Sequence, residues 1–91
     1  SLLDDLIDVA AGYITKNQSA KAIDLFHQVE RSNDVILNLL FNACAQLETP
    51  EALSLVKDHS VKLPRSSVAN PLLMTSLVDA LMKCGDVIGA E

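Results

Sequence analysis

Residues 42–56 read NACAQLETPEALSLV, and within them one helix ends, a hinge follows and another helix begins. Thr49-Pro50-Glu51 sets a hydroxyl at the N-cap, a proline at the first helical position and an acid in the first turn. Upstream, Leu37, Leu40, Phe41, Cys44 and Leu47 recur at helical spacing; downstream, Ala52, Leu53, Val56 and His59 do the same. Two amphipathic helices joined by so short a link run antiparallel, each covering the other's apolar stripe.

The same arrangement extends both ways along the chain. Leu6, Val9, Ala10 and Tyr13 predict a first helix over 2–17. Ala22, Ile23, Phe26 and Val29 predict a second over 19–32, with Ser19 as its N-cap. Asn33-Asp34 then starts the third. After the fourth helix, residues 60–70 (SVKLPRSSVAN) read as a polar, irregular segment that Pro64 keeps from being helical. Asn70-Pro71 repeats the cap-plus-proline start, and a fifth helix carries Leu73, Leu77, Val78 and Leu81. Cys84-Gly85 reads as its end, with glycine free to take the left-handed terminating conformation, and Asp86 as the cap of a sixth helix. On this reading residues 1–91 are one helical segment cut from a longer protein. The face built by Leu77, Leu81 and Val87 is then left uncovered.

Composition agrees. Hydrophobic residues make up 49% of the 91, but only Tyr13, Phe26 and Phe41 are aromatic, so the core is aliphatic. Three glycines and three prolines are too few for a turn-dense sandwich or barrel. A net charge of −5 excludes a strongly basic nucleic-acid footprint over the whole surface, although Lys57, Lys62 and Arg65 gather in the middle third. No apolar run is long enough for a membrane span, and Ser1–Leu6 has neither signal- nor transit-peptide character.

Catalytic signatures are missing one after another. Gly12, Gly85 and Gly89 are scattered rather than gathered in a phosphate loop. Cys44 and Cys84 sit among apolar neighbours as core thiols, too few for a disulfide framework or a zinc site. His27 and His59 lie 32 residues apart as surface or half-buried side chains. Asp4, Asp5 and Asp8 complement the dipole at a helix start. Ser66-Ser67 has no base beside it in the sequence. The reading is a binding segment, not an enzyme, with no cofactor, metal or small-molecule substrate.

Three stretches line up as hairpin hinges: AGYITKNQSAKA (11–22), NACAQLETPEA (42–52) and DALMKCGDVIGA (79–90). Each places an alanine (Ala22, Ala52, Ala90) where the second helix must approach the first closely. These alanines are 30 and 38 residues apart, and paired helices repeating at such intervals predict an all-α protein, an α-solenoid of antiparallel helix-turn-helix repeats. The repeats span roughly 1–33, 34–70 and a truncated 71–91.

The third unit, LLMTSLVDALMKCGDVIGAE (72–91), closely resembles the pentatricopeptide repeat. Ser76-Leu77-Val78-Asp79-Ala80 followed by Met82-Lys83-Cys84-Gly85-Asp86 is typical of that family's first helix and hinge. VILNLLFNACAQL (35–47) fits as well, with Asn38 at the characteristic polar position, and AKAIDLFHQV (20–29) matches the family's second helix. The rival tetratricopeptide pattern is met by Tyr13, Ala22 and Phe26 in the first unit, but Val56 and Leu81 replace its aromatics later. The uneven repeat lengths are similar to those of a pentatricopeptide subclass associated with organelle RNA editing.

The resemblance implies single-stranded RNA as partner and RNA processing in mitochondria or plastids as setting. By it, Asn38 and Asn70 read one base edge and Val35 packs against the base's flat face, a pair that implies a pyrimidine. Thr75 and Leu72 play the reading and stacking roles in the third unit and imply a purine. In the first unit Ile7 and Asp4 stand at these positions, with either Asn33 or Asp34 as the partner, so that unit reads poorly. The residues themselves leave a second account open: Asn38 and Asn70 lie near helix starts, where asparagine is a routine cap. The alternative function is a tetratricopeptide-like solenoid holding a protein partner on the same face.

Overall fold

In the computed structural model, which describes residues 2–29 and 32–89 (86–89 as backbone only), the chain runs through six helices. They are α1 (Leu2–Thr15), α2 (Ser19–Phe26), α3 (Asp34–Leu47), α4 (Pro50–Ser60), α5 (Arg65–Val68) and α6 (Pro71–Gly89). No strand occurs among the described residues. The protein is all-α.

Local chemistry sets most of the starts. Thr49 is extended, and its hydroxyl accepts from the Ala52 N–H at 3.1 Å, with Pro50 at the first helical position. Asn33 caps α3 in the same way, its Oδ1 accepting from the Ile36 N–H at 2.9 Å. Side-chain caps of this kind contribute about 1 kcal/mol each. Ser19 does not cap α2. Gln18 occupies that position without a side-chain bond, while Ser19 is the first helical residue, buried, and donates to Gln46 Oε1 of α3. A tertiary partner has claimed the hydroxyl that local reading assigned to the helix end.

The first two hinges share a device. Asn17 (φ 60°) and Glu48 (φ 53°) both take the left-handed conformation just past the ends of α1 and α3. After α1, the Gln18 N–H reaches back to the Tyr13 carbonyl at 2.7 Å, the six-to-one bond of a Schellman ending. The third expected hinge is absent. No described glycine has positive φ, and α6 continues through Gly85 to Gly89, so the helix expected to start at Asp86 is part of α6. Cys84, buried, donates its thiol to the Cys44 carbonyl at 3.4 Å and ties this turn to α3. Of the face expected from Leu77, Leu81 and Val87, the first two are partly buried against the core and Val87 lies outside the described side chains.

Two further boundaries differ from expectation. α2 ends at Phe26 rather than near 32. Within 60–70, α4 includes Ser60, and Arg65–Val68 form the single turn α5 with Ser67 buried.

α1 pairs with α2 and α3 packs across both; α3 pairs with α4 and α6 packs across both in turn, with α5 resting on α6. The result measures 43 × 31 × 19 Å. Its core runs along α3: Ile36, Leu40, Phe41 and Cys44 are all but inaccessible, met by Ala10, Ala22, Val56, Leu73, Ala80 and Cys84. Each large apolar side chain so buried contributes about 2 kcal/mol. Alanines at Ala10, Ala22, Ala43, Ala52 and Ala80 let the helix axes approach.

Candidate nucleic-acid interface

The first turns of α3 and α6 lie side by side, because α3 and α6 share the most extensive helix contact in the molecule. Between them is a recess of about 230 Å³ lined by Asp34, Val35, Asn38, Asn70, Leu72 and Leu73. Four of the five residues singled out from the sequence thus meet at one place. Val35 and Leu72 are exposed, 53% and 68%, and present apolar walls from the two helices. Leu73 is buried and forms the floor with the core behind it.

The polar groups of the recess form one network. Asn70 Oδ1 accepts from the backbone N–H groups of Leu72 (3.1 Å) and Leu73 (3.2 Å), so it caps α6 as its sequence position suggested. Its Nδ2 donates to Asp34 Oδ2 at 2.9 Å. Asp34 Oδ1 accepts from the Ser67 hydroxyl at 2.6 Å. The hydrogen bonds from Ser67 and then Asn70 hold the Asp34 carboxyl below its ordinary range, because both favour the ionised form. Asn38 Oδ1 accepts from the Ser76 hydroxyl of α6. Capping and recess-lining are therefore compatible for Asn70, and Asn38 is no cap: it lies one turn inside α3, bonded across to α6.

Thr75 is not part of this recess. It lines a separate shallow strip farther along α6 with Met74, Val78, Asp79 and Met82, and its hydroxyl donates back to the Pro71 carbonyl at 2.8 Å. Val78 (52%) and Met82 (60%) are exposed there, and Lys83 pairs with Asp79 at 3.4 Å. In the first unit Ile7 is partly buried against the core and Asp4 is exposed, so neither forms a matching recess with the other.

Reading along the chain missed Ser67 and Ser76, and it placed Asp34 with the first unit rather than in this recess. Asp34 entered at a helix start and, with Asn33, as one of two alternative base-reading partners of the first unit; Ser67 entered only as a serine without a base. Their partners lie 33, 36 and 38 residues away, beyond any local pattern. Among the described residues no group of three metal-ligating side chains comes together, and no helix is long and apolar enough to cross a membrane. Cys44 and Cys84 are buried free thiols.

No family model, no curated protein and no solved structure matches the chain.

Proposed function

We propose that the protein is a single-stranded RNA-binding segment of the pentatricopeptide type, in which the recess between α3 and α6 receives one unpaired base. The observation that carries this reading is the meeting of Val35, Asn38, Asn70 and Leu72 around one opening. Val35 and Leu72 face a flat ring from two helices, and the amides reach its edge, the combination by which unpaired bases are read. On this reading α1–α2, α3–α4 and α6 are successive units of an α-solenoid. The way α3 sits across the first pair and α6 across the second supports it. Organelle RNA processing belongs to the same proposal through the family resemblance, as does a binding rather than a catalytic role.

Net acidity works against backbone affinity, which rests on Lys and Arg. Lys62, exposed on the segment leading into α5, and Arg65, exposed at the start of α5, make no ion pair among the described residues and are free to face phosphate. The test is a titration of the chain with single-stranded oligoribonucleotides, followed by amide chemical shifts. Shifts centred on Val35, Asn38 and Leu72, absent with duplex RNA of the same sequence, are the expected result. Shifts spread evenly over the surface, or none, overturn the proposal.

A second reading has its own observation. The exposed apolar strip of Met74, Val78 and Met82 on α6 suits a protein partner of the kind tetratricopeptide-like solenoids hold. Peptide-induced shifts confined to that strip, with no response to RNA, favour it.

A further inference from the structure

We infer that Asp34 is a specificity-determining residue of the α3–α6 recess, accepting a hydrogen bond from the imino N–H of a uracil base. This rests on the single-stranded RNA reading above.

The argument starts from what each polar group has left to offer. Asn70 Oδ1 is taken by two backbone N–H groups, and Nδ2 gives one of its hydrogens to Asp34. Neither end can be exchanged, since backbone N–H groups only donate and a carboxylate only accepts. Asn70 therefore offers a base a donor and nothing else. Asn38 Oδ1 accepts from Ser76, which leaves its Nδ2 as a second donor. The acceptor in this wall is Asp34. Its two oxygens carry about four lone-pair sites, of which Ser67 and Asn70 use one on each oxygen.

The three groups also come in order. Asp34 precedes Asn38 by one turn on the same face of α3 and is bonded on its other side to Asn70. The row reads donor, acceptor, donor. Uracil presents the complement along one edge: the O4 carbonyl, the N3–H and the O2 carbonyl. Cytosine and adenine put a ring-nitrogen lone pair opposite the carboxylate, which repels it. Guanine has the central N–H but replaces one flanking carbonyl with an amino donor, which meets an asparagine donor. Uracil is the base that satisfies all three.

The experiment uses three hexamers, of uridine, of cytidine and of N3-methyluridine, titrated into the chain while the side-chain NH₂ resonances of Asn38 and Asn70 are followed. The uridine hexamer should bind about fivefold to tenfold more tightly than the cytidine hexamer, the low end of what one good base-edge contact supplies. Methylation at N3 should abolish that advantage. Asp34→Asn should bring the two unmodified hexamers to within about twofold of each other. Ser67→Ala removes another partner of Asp34 from outside the recess wall and should keep the preference for uridine. If the methylated hexamer binds like the uridine hexamer, or uridine and cytidine bind the recess equally, Asp34 does not read the base and the RNA proposal stands without it. If none of the hexamers shifts Val35 or Leu72, both fall together.

Discussion

Asn70 Nδ2 lies 2.9 Å from Asp34 Oδ2, and this bond ties the residue that starts α6 to the first turn of α3, 36 residues earlier. With Ser67 on the other carboxylate oxygen, Asp34 gathers α3, α5 and the cap of α6 at one point. Both bonds favour the ionised carboxylate and lower its pKa in the folded chain. A lowered folded pKa means the contribution is complete above the ordinary aspartate value and is lost as pH falls through the folded one. Thermal melts from pH 7 downward should therefore show an acid decline that is shallower in Asp34→Asn than in the parent. Parallel profiles for the two proteins would show that the network contributes nothing to folding.

Gly85 offers a test of opposite signs. In the structure it is helical, and a Cβ placed on it meets nothing within 4 Å. Gly85→Ala should then stabilise the chain by about 0.5–1 kcal/mol, through the smaller entropy of the unfolded state. At a left-handed hinge, as the sequence alone suggests for this position, alanine would destabilise it by a similar amount. Urea denaturation midpoints of the two proteins decide between the readings.

Gly85 also marks where sequence reasoning stops. Helix starts were legible at Asn33, Thr49 and Asn70, because a cap is a bond between a side chain and a backbone N–H two or three residues on. The hinges at Asn17 and Glu48 were legible as breaks in the apolar pattern. Glycine after Lys83-Cys84 carries the same local signal but not the same outcome. The neighbouring Cys84 is held by the Cys44 carbonyl, a contact across 40 residues. Ser19 misled for the same reason, its hydroxyl being bonded to Gln46. The recess shows both sides. Val35, Asn38, Asn70 and Leu72 came from a family pattern, and the packing of α3 on α6 brings them together. The same pattern gave Asp34 only as an alternative partner in the first unit, and its bonds to Ser67 and Asn70, which link the two sides, left no trace in any spacing.

The two thiols should be silent in the folded chain. Burial pushes the Cys44 thiol up to about 12, with Cys84 adding to the effect, and burial raises Cys84 as well. The thiolate is the reactive form, so at neutral pH both are protected by chemistry as well as by access. A disulfide reagent should label neither at a measurable rate until urea unfolds the chain, and both should then react together. Rapid labelling of Cys84 alone would show that the last turns of α6 open independently of the core.

The sharpest separation between folding and binding is offered by Phe41 on one side and by Val35 and Leu72 on the other. Phe41 is inaccessible at the centre of α3, so Phe41→Ala leaves a cavity that neighbours on several helices cannot close, at a cost of about 3–5 kcal/mol. Val35 and Leu72 are more than half exposed and stand at the mouth of the recess. Their alanine variants should change stability by no more than about 0.5 kcal/mol. Each should still weaken RNA binding by about 1 kcal/mol, close to fivefold, because the methyl groups removed are those a bound base would cover. The double variant should lose more than either single change, and its departure from their sum measures the coupling of two walls that share one ring. Denaturation curves and RNA titrations on the same preparations measure both quantities. If Val35→Ala and Leu72→Ala bind RNA like the parent while retaining its stability, the recess is a surface depression and the base lies elsewhere.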